Sequence, residues 1–152
     1  MADTFLNQER IGLLIWKISN SWQSKLRKIL KLHKISLNEY LIIETLYKLN
    51  SLNNNLSQVN ISKNSGLDIS VISINLSILE SKNLVKRETK DNRTKQIILT
   101  NTGLKLIKDL IDSINNEEVN FFKILGSENF NFINSLKLIL GKKIRIKAKK
   151  ND

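Results

Sequence analysis

Gly66-Leu67-Asp68-Ile69-Ser70-Val71-Ile72-Ser73 opens the stretch that decides the fold. The stretch continues through Leu79-Glu80-Ser81-Lys82-Asn83-Leu84-Val85 and Asp91-Asn92-Arg93 to Leu99-Thr100-Asn101-Thr102-Gly103. In this order the segments predict a turn, a helix, a strand, a charged loop, a second strand and a new helix. A helix followed by a basic hairpin has a shape that suits a DNA groove and the phosphates beside it.

Two helices are predicted just before and within this stretch. A short helix over residues 57–64 ends near Gly66, because glycine suits the left-handed turn that closes a helix. Asp68 is placed to cap the next helix, which runs to about Lys82. These two helices, joined by a tight turn, form the centre of the predicted fold.

Two more helices are predicted on the N-terminal side. Residues 5–33 form the first, because apolar side chains recur there in steps of three and four. Trp16 and Trp22 lie on its apolar stripe, so we expect both to pack in the core. Ser36 and Glu39 form a capping-box pattern that starts a second helix. The apolar stripe of the first helix also contains Ile11, Leu14, Ile15, Ile18, Leu26, Ile29 and Leu30.

The C-terminal third is predicted to be helical as well. A long helix starts near Thr100 or Asn101 and continues to about residue 125, where Gly126 and Ser127 break it. A final helix carries the apolar residues of 132–140. The lysine-rich end, residues 142–152, is predicted to be a solvated tail.

This order of elements resembles the winged helix-turn-helix of the MarR family of transcription regulators, over roughly residues 10–140. The resemblance implies a mainly α fold, a winged helix-turn-helix with a small two-stranded β wing, in a single domain over 1–152. It implies that 36–100 form the DNA-binding region. It also implies that 1–35 and 101–148 form dimerisation helices, which interlock in a homodimer.

The helix from Asp68 to Lys82 is the predicted recognition helix. Its core face carries Ile72, Leu76 and Leu79, and Val71, Ile74 and Ile78 lie on a flank. MarR-like helices commonly hold basic residues at positions 74 and 78, whereas this chain has isoleucine at both. Val71 or Ile74 could contact thymine methyl groups. Alternatively, the helix binds a protein or is a buried helix with a small polar strip. The face opposite the core carries Ser70, Ser73, Ser77 and Ser81.

The wing is predicted as two short strands, 84–89 and 95–99, around the polar loop 90–94. Asp91-Asn92-Arg93 matches the Asp-x-Arg spacing of the MarR family. Arg93 would enter the narrow minor groove of A·T-rich DNA, held in orientation by Asp91. The alternative is a solvated hairpin with an ordinary surface ion pair. The full set of predicted DNA contacts is Lys63, Ser70, Val71, Ser73, Ile74, Ser77, Arg87, Lys90, Asp91, Arg93 and Lys95.

The composition of the chain favours some classes of function and excludes others. The net charge of +11, with a pI near 9.9, favours a polyanionic partner. The absence of cysteine excludes disulfides and thiol switches, and the single histidine disfavours a zinc site. No phosphate loop, nucleophile elbow or cysteine nucleophile is present, so we expect no enzyme, no metal and no cofactor. With no membrane-spanning or signal segment, we expect a cytoplasmic protein.

The sequence therefore predicts a DNA-binding transcriptional regulator, in the simplest case a repressor. As a homodimer it would bind a pseudo-palindromic, A·T-rich operator in double-stranded DNA, with half-sites about one helical turn apart. The alternative is a winged-helix protein-interaction module with weak or nonspecific DNA binding. A weaker alternative is a membrane-surface protein attracted through its basic tail. MarR-like regulators often bind small aromatic anions, but the sequence assigns no site for such an effector.

Overall fold

The elements follow the predicted order. The computed structural model of the chain describes residues 8–52, 56–90 and 94–144, and the chain divides into two compact units, Met1–Glu117 and Glu118–Asp152. In chain order the elements are α1 (Ile11–Lys31), α2 (Leu37–Ser51), α3 (Gln58–Ser65), α4 (Ile69–Ser81), β1 (Val85–Lys90), β2 (Thr94–Leu99), α5 (Asn101–Phe122), a 3₁₀ helix (Lys123–Glu128) and α6 (Asn129–Ile139).

Local capping determines where α2 and α3 begin and end. The capping box of α2 is complete, because the Glu39 amide donates to Ser36 Oγ at 3.1 Å and the Ser36 amide donates to Glu39 Oε1 at 3.3 Å. Ser57 Oγ accepts from the Asn60 amide at the start of α3. Gly66, with φ 76°, ends α3 in the left-handed conformation. The predicted capping box and glycine cap are confirmed.

One predicted cap and one predicted boundary need correction. Asp68 occupies the N-cap position of α4, but its side chain makes no capping hydrogen bond. Regular α-helix ends at Phe122, short of the predicted residue 125, and the 3₁₀ helix follows. The predicted break does occur at Gly126, whose φ of 50° and ψ of −123° are not helical.

The first unit packs around α2. Tyr40, Ile42 and Leu46 of this helix are at most 1% exposed, and they join buried residues from the neighbouring elements in one cluster. The other members include Leu26 and Leu30 of α1, Ile61 of α3, Ile72, Leu76 and Leu79 of α4, Val85 and Ile97 of the strands, and Ile107, Leu110 and Ile114 of α5.

The wing is an antiparallel hairpin in which Val85 pairs with Leu99 and Arg87 with Ile97. The segment before α3 extends this pairing, because the Ile97 amide donates to the Leu56 carbonyl at 3.0 Å. Val85, Leu56 and Ile97 are buried, so the base of the wing belongs to the core. The predicted two-stranded wing is confirmed. Its tip, residues 91–93, lies outside the described residues.

The junction between the wing and α5 is closely packed. Thr100 Oγ1 donates to the Asn83 carbonyl at 2.6 Å and accepts from the Gly103 amide at 3.0 Å, so Thr100 caps α5. The Thr100 amide donates to the Leu84 carbonyl at 3.1 Å. A Cβ atom on Gly103 would lie 2.0 Å from that same Leu84 oxygen. Glycine at 103 is what allows the start of α5 to approach this backbone.

A partly buried ion pair joins the end of α4 to the start of α2. Lys82 Nζ donates to Glu39 Oε2 at 2.6 Å and to the Lys34 carbonyl at 2.9 Å. Glu39 is only 5% exposed. Because Lys34 lies in the turn between α1 and α2, this one ammonium group holds three segments together.

The N-terminal half of α1 leaves its apolar stripe uncovered. Trp16 is 65% exposed, which corrects the prediction that it packs in the core. Trp22, in contrast, packs against the core cluster. The prediction rested on the position of Trp16 on the apolar stripe, whereas α1 meets the core only through its C-terminal half. The exposed residues on α1 are Ile11, Leu14, Ile15, Trp16 and Ile18.

The second unit contains the end of α5, the 3₁₀ helix and α6. No residue of α6 is buried, and Leu138 and Ile139 are well exposed. A cavity of about 270 Å³ lies among Phe122, Phe132 and their apolar neighbours. The predicted solvated tail lies mostly outside the described residues, which end at 144.

Candidate nucleic-acid interface

Burial sets the orientation of α4. Ile72, Leu76 and Leu79 are 0% exposed, as predicted for the core face. These side chains anchor the helix on the core cluster and fix which residues face outwards. The outward face of α4 is therefore the side opposite these three residues.

Ile74 lies at the centre of this outward face, not on its flank. At about 100° per residue, it is roughly 170° around the helix from the mean direction of the three core residues. Its exposed fraction of 65% agrees with that position. Val71, in contrast, is half-buried and does lie on the flank. Ser70, Ser73 and Ser77 are exposed, as predicted. Over the first two turns of α4 the centre of the face is thus an aliphatic side chain with serines beside it, and Ser81 lies equally opposite the core residues at the end of the helix.

Some polar side chains of α4 form hydrogen bonds to the backbone of the same helix. Asn75, which was not among the predicted contacts, is half-buried and donates its Nδ2 to the Val71 carbonyl at 2.8 Å. Ser77 Oγ donates to the Ser73 carbonyl at 3.3 Å. No residue from Ile69 to Leu79 is charged. The face therefore presents methyl groups and hydroxyls, with no group suited to a bidentate guanine contact.

Two of the basic residues on β1 form ion pairs with acidic side chains. Arg87 Nε lies 3.3 Å from Glu80 Oε1 of α4, and Lys86 Nζ lies 2.5 Å from Glu88 Oε1. All four side chains are partly solvated, so each pair is weak. Arg87 was predicted as a free phosphate contact, but that prediction missed Glu80, which lies seven residues earlier on another element. A phosphate would have to compete with this carboxylate for Arg87.

The structure describes the side chains of only some of the other predicted cations. Lys63, near the end of α3, and Lys95, on β2, are exposed. Lys90 is the last residue of β1, but its side chain is outside the described part of the structure. Asp91 and Arg93 also lie outside the described residues. The DNA-contact role of every one of these residues stays a prediction.

The tryptophans, Tyr40 and the single histidine, side chains that could contact a small aromatic anion, differ widely in exposure. Trp16 and His33 are exposed, whereas Tyr40 is 1% exposed within the core. Trp22 Nε1 is buried without a hydrogen-bond partner in the described part of the chain. An effector site therefore stays unassigned.

The described residues contain no cluster of three histidine, cysteine or acidic side chains that could hold a metal ion. Over the same ranges, 8–52, 56–90 and 94–144, no helix is long and apolar enough to cross a membrane.

Comparison with known proteins supports this architecture. No protein-family model matches the chain, and no curated protein matches it either. Among solved structures, the Staphylococcus aureus regulator MepR in its DNA-binding conformation is 26% identical, with a TM-score of 0.72 over 86% of this chain and 96% of that one. The S. aureus MepR–DNA complex is 24% identical, with a TM-score of 0.79 over 89% and 97% of the two chains.

A more distant likeness is to CouR from Rhodococcus jostii, bound to p-coumaroyl-CoA. It is 19% identical, with a TM-score of 0.77 over 94% of this chain and 100% of that one. A MarR family regulator from Silicibacter pomeroyi is 22% identical, with a TM-score of 0.69 over 92% and 93%.

These likenesses show that the chain has a winged helix-turn-helix fold similar to that of MarR family regulators. The resemblance and the fold class predicted from the sequence are both confirmed. The neighbours also favour the predicted function class, a DNA-binding transcriptional regulator, over the protein-interaction module. They are transcription regulators and not enzymes.

Proposed function

We propose that the protein is a homodimeric repressor that binds a pseudo-palindromic, A·T-rich operator. In each subunit α4 would enter a major groove, and Arg93 at the wing tip would enter the neighbouring minor groove. The observation that carries this proposal is the geometry of α4, which is held on the core by one face and is exposed and uncharged on the other. Acting on chromosomal DNA, the protein would be cytoplasmic, and we propose no catalytic activity for it.

A homodimer is supported by exposed apolar surface. The stripe on α1 exposes Ile11, Leu14 and Trp16 to solvent, and large contiguous apolar patches on soluble chains commonly mark interaction sites. In the second unit, Leu138 and Ile139 of α6 are likewise exposed. A second copy of the chain would cover these surfaces, and two-fold symmetry would then present two copies of α4 to a symmetric operator. The regions 1–35 and 101–148 are the proposed dimerisation helices.

Affinity would come mainly from charge. The net charge of +11 favours binding to phosphates, whereas α4 adds no cation between Ile69 and Leu79. Lys63, on the neighbouring helix α3, and Lys95, on β2 of the wing, are exposed cations that could position the helix on the duplex. Base choice would then depend on groove shape and apolar contacts.

The test is binding of the purified full-length protein to the DNA upstream of its own gene and to random DNA of equal length. We expect selective binding, and we expect Arg93→Ala to lower the affinity for the upstream DNA at least about tenfold. With about six phosphate contacts, the affinity should fall on the order of 1,000-fold between 50 and 200 mM salt. Equal binding to both DNAs would contradict the proposal.

A protein-interaction module is the second candidate, because Ile74 and Ile78 form an exposed aliphatic pair on α4. The same salt titration separates the two candidates. An apolar protein interface changes little with salt, whereas phosphate contacts weaken steeply. DNA affinity that is weak and insensitive to Arg93→Ala would favour this module.

The ion pair between Arg87 and Glu80 leads to a separate prediction. Glu80→Gln removes the carboxylate next to Arg87, so the guanidinium becomes free to bind a phosphate. We expect tighter binding to random DNA and a salt slope of log K steeper by about 0.9 for each phosphate that a freed Arg87 binds. Asp112→Asn makes the same charge change on an exposed position of α5 and is the matched control. Equal slopes for the two variants would show that the freed Arg87 binds no phosphate.

Small-molecule control of DNA binding is the least defined part of the proposal. BpsR of Bordetella bronchiseptica, 16% identical, is regulated in its DNA binding by 6-hydroxynicotinic acid, and CouR was solved with p-coumaroyl-CoA. We propose that an effector of unknown chemistry could act on this chain, and we assign no residue to it.

A further inference from the structure

We propose that Ile74 is the residue that determines base choice, by packing on the C5-methyl group of thymine in the major groove. The inference rests on the proposed function, because it requires α4 to enter that groove. It goes further in assigning the contact to one side chain and to one chemical group, rather than to A·T pairs in general.

The position of Ile74 favours this role over its aliphatic neighbours. Residues three and four apart adjoin on a helix surface, so Ile74 is bordered by Ser70 and Ser77 on one side. Both are exposed and small, so the isoleucine side chain projects beyond them. Val71 is half-buried, and Ile78, at 38% exposed, lies one turn further from the helix N-terminus. Recognition helices contact base edges mainly through their N-terminal residues.

The chemistry of the face leaves few other means of base discrimination. A bidentate guanine contact needs arginine or lysine, and none occurs from Ile69 to Leu79. The serine hydroxyls can contact either type of base, so they discriminate poorly. A bidentate adenine contact needs an asparagine or glutamine that reaches the groove, but Asn75 is half-buried and its Nδ2 already donates to the Val71 carbonyl at 2.8 Å. The hydroxyl of Ser77 donates to its own helix. What remains at the centre of the face is an aliphatic side chain.

Thymine is the base that this side chain would favour. In the major groove it presents a C5-methyl group, where cytosine has only hydrogen at C5 and a neighbouring amino donor. Burying one methyl group against Ile74 removes apolar surface of both partners from water, and the effect is about fourfold in affinity. With one such contact in each half-site, the homodimer would bind this site roughly 15-fold more tightly than the same site without the two methyl groups.

Deoxyuridine tests the proposal directly, because it lacks only the C5-methyl group and keeps the pairing of thymine. The probe is the upstream DNA to which the wild-type protein binds selectively, with the thymines of both half-sites replaced by deoxyuridine. We expect the wild-type affinity to fall roughly 15-fold. A second probe pair, with cytosine or 5-methylcytosine at the most sensitive position, should favour the methylated base by about fourfold per site.

Variants of the protein link the effect to Ile74. Ile74→Ala should bind the thymine and deoxyuridine probes within about twofold of each other, because the side chain that senses the methyl group is gone. Ile74→Val keeps a branched side chain and should retain most of the discrimination. Ile124→Ala is the matched control, since Ile124 is 90% exposed and lies in the other unit, and it should behave as the wild type.

The possible outcomes separate this inference from the function on which it rests. Selective binding of the upstream DNA with equal affinity for the two probes would overturn the role of Ile74 and leave the proposed function intact. Discrimination that persists in Ile74→Ala would also overturn it, because the wing or the DNA shape would then sense the substitution. Absence of selective binding would overturn both proposals.

Discussion

Gly103→Ala is expected to lower the free energy of unfolding by about 3 kcal/mol, near the upper end of what an added methyl group costs. The new Cβ would lie 2.0 Å from the Leu84 carbonyl oxygen. Because both atoms are attached to backbone, no change of rotamer can relieve the clash, and α5 must move away from the wing. That movement would also stretch the hydrogen bonds of Thr100 to Asn83 and Leu84. Thermal unfolding at fixed protein concentration should show a midpoint lower by roughly 10 °C.

Gly12→Ala is the matched control. Gly12 lies in the first turn of α1, and a Cβ there would meet nothing within 4 Å. The same exchange should therefore leave stability unchanged or raise it by up to about 1 kcal/mol. A Gly103→Ala variant as stable as the wild type would mean that the start of α5 does not need its close approach to Leu84.

Lys82→Ala is expected to lower the free energy of unfolding by about 2 kcal/mol. The substitution leaves the Glu39 carboxylate, 5% exposed, without its ammonium partner, and it also removes the hydrogen bond to the Lys34 carbonyl. Removing one partner of a fully buried pair costs about 3–5 kcal/mol, and the 35% exposure of the Lys82 side chain reduces this figure. Urea unfolding monitored by circular dichroism measures the change.

A surface pair on α2 provides the comparison. Lys48 Nζ lies 2.8 Å from Glu44 Oε1, but the lysine side chain is 61% exposed, so Lys48→Ala should cost no more than about 0.5 kcal/mol. Combining Lys82→Ala with Glu39→Gln should cost less than the sum of the single changes, because the uncompensated charge is then gone. Purely additive losses would show that the two side chains act independently.

Features that depend on residues close together in sequence could be predicted. The capping box of Ser36 and Glu39, the left-handed cap at Gly66 and the buried face of α4 each follow from spacings of three or four residues. The motif ending in Gly103 was also identified from sequence. The reason for its glycine, a contact with Leu84, lies nineteen positions away and appears only in the structure.

Features that depend on pairing between elements could not be predicted. Glu80 and Arg87 lie on a helix and on a strand, and the register that brings them together is set by packing. The exposure of Trp16 depends on where α1 meets the core, which periodicity alone does not show. Ile74 was predicted on the flank because the serines were taken as the centre of the outward face. The mean direction of the three core residues places that centre nearer Ile74.

Because Trp16 lies on the uncovered stripe of α1, the tryptophan fluorescence of the protein can report on self-association. The chain has two tryptophans, and they report on different surroundings, since Trp16 is 65% exposed on the stripe whereas Trp22 packs on the core. Self-association that covers the stripe would move Trp16 from water to an apolar contact and shift its fluorescence to shorter wavelength. Dilution would reverse this shift while Trp22 stayed constant. Intrinsic emission of the unlabelled protein, compared with that of Trp16→Phe, would therefore measure the monomer–dimer equilibrium.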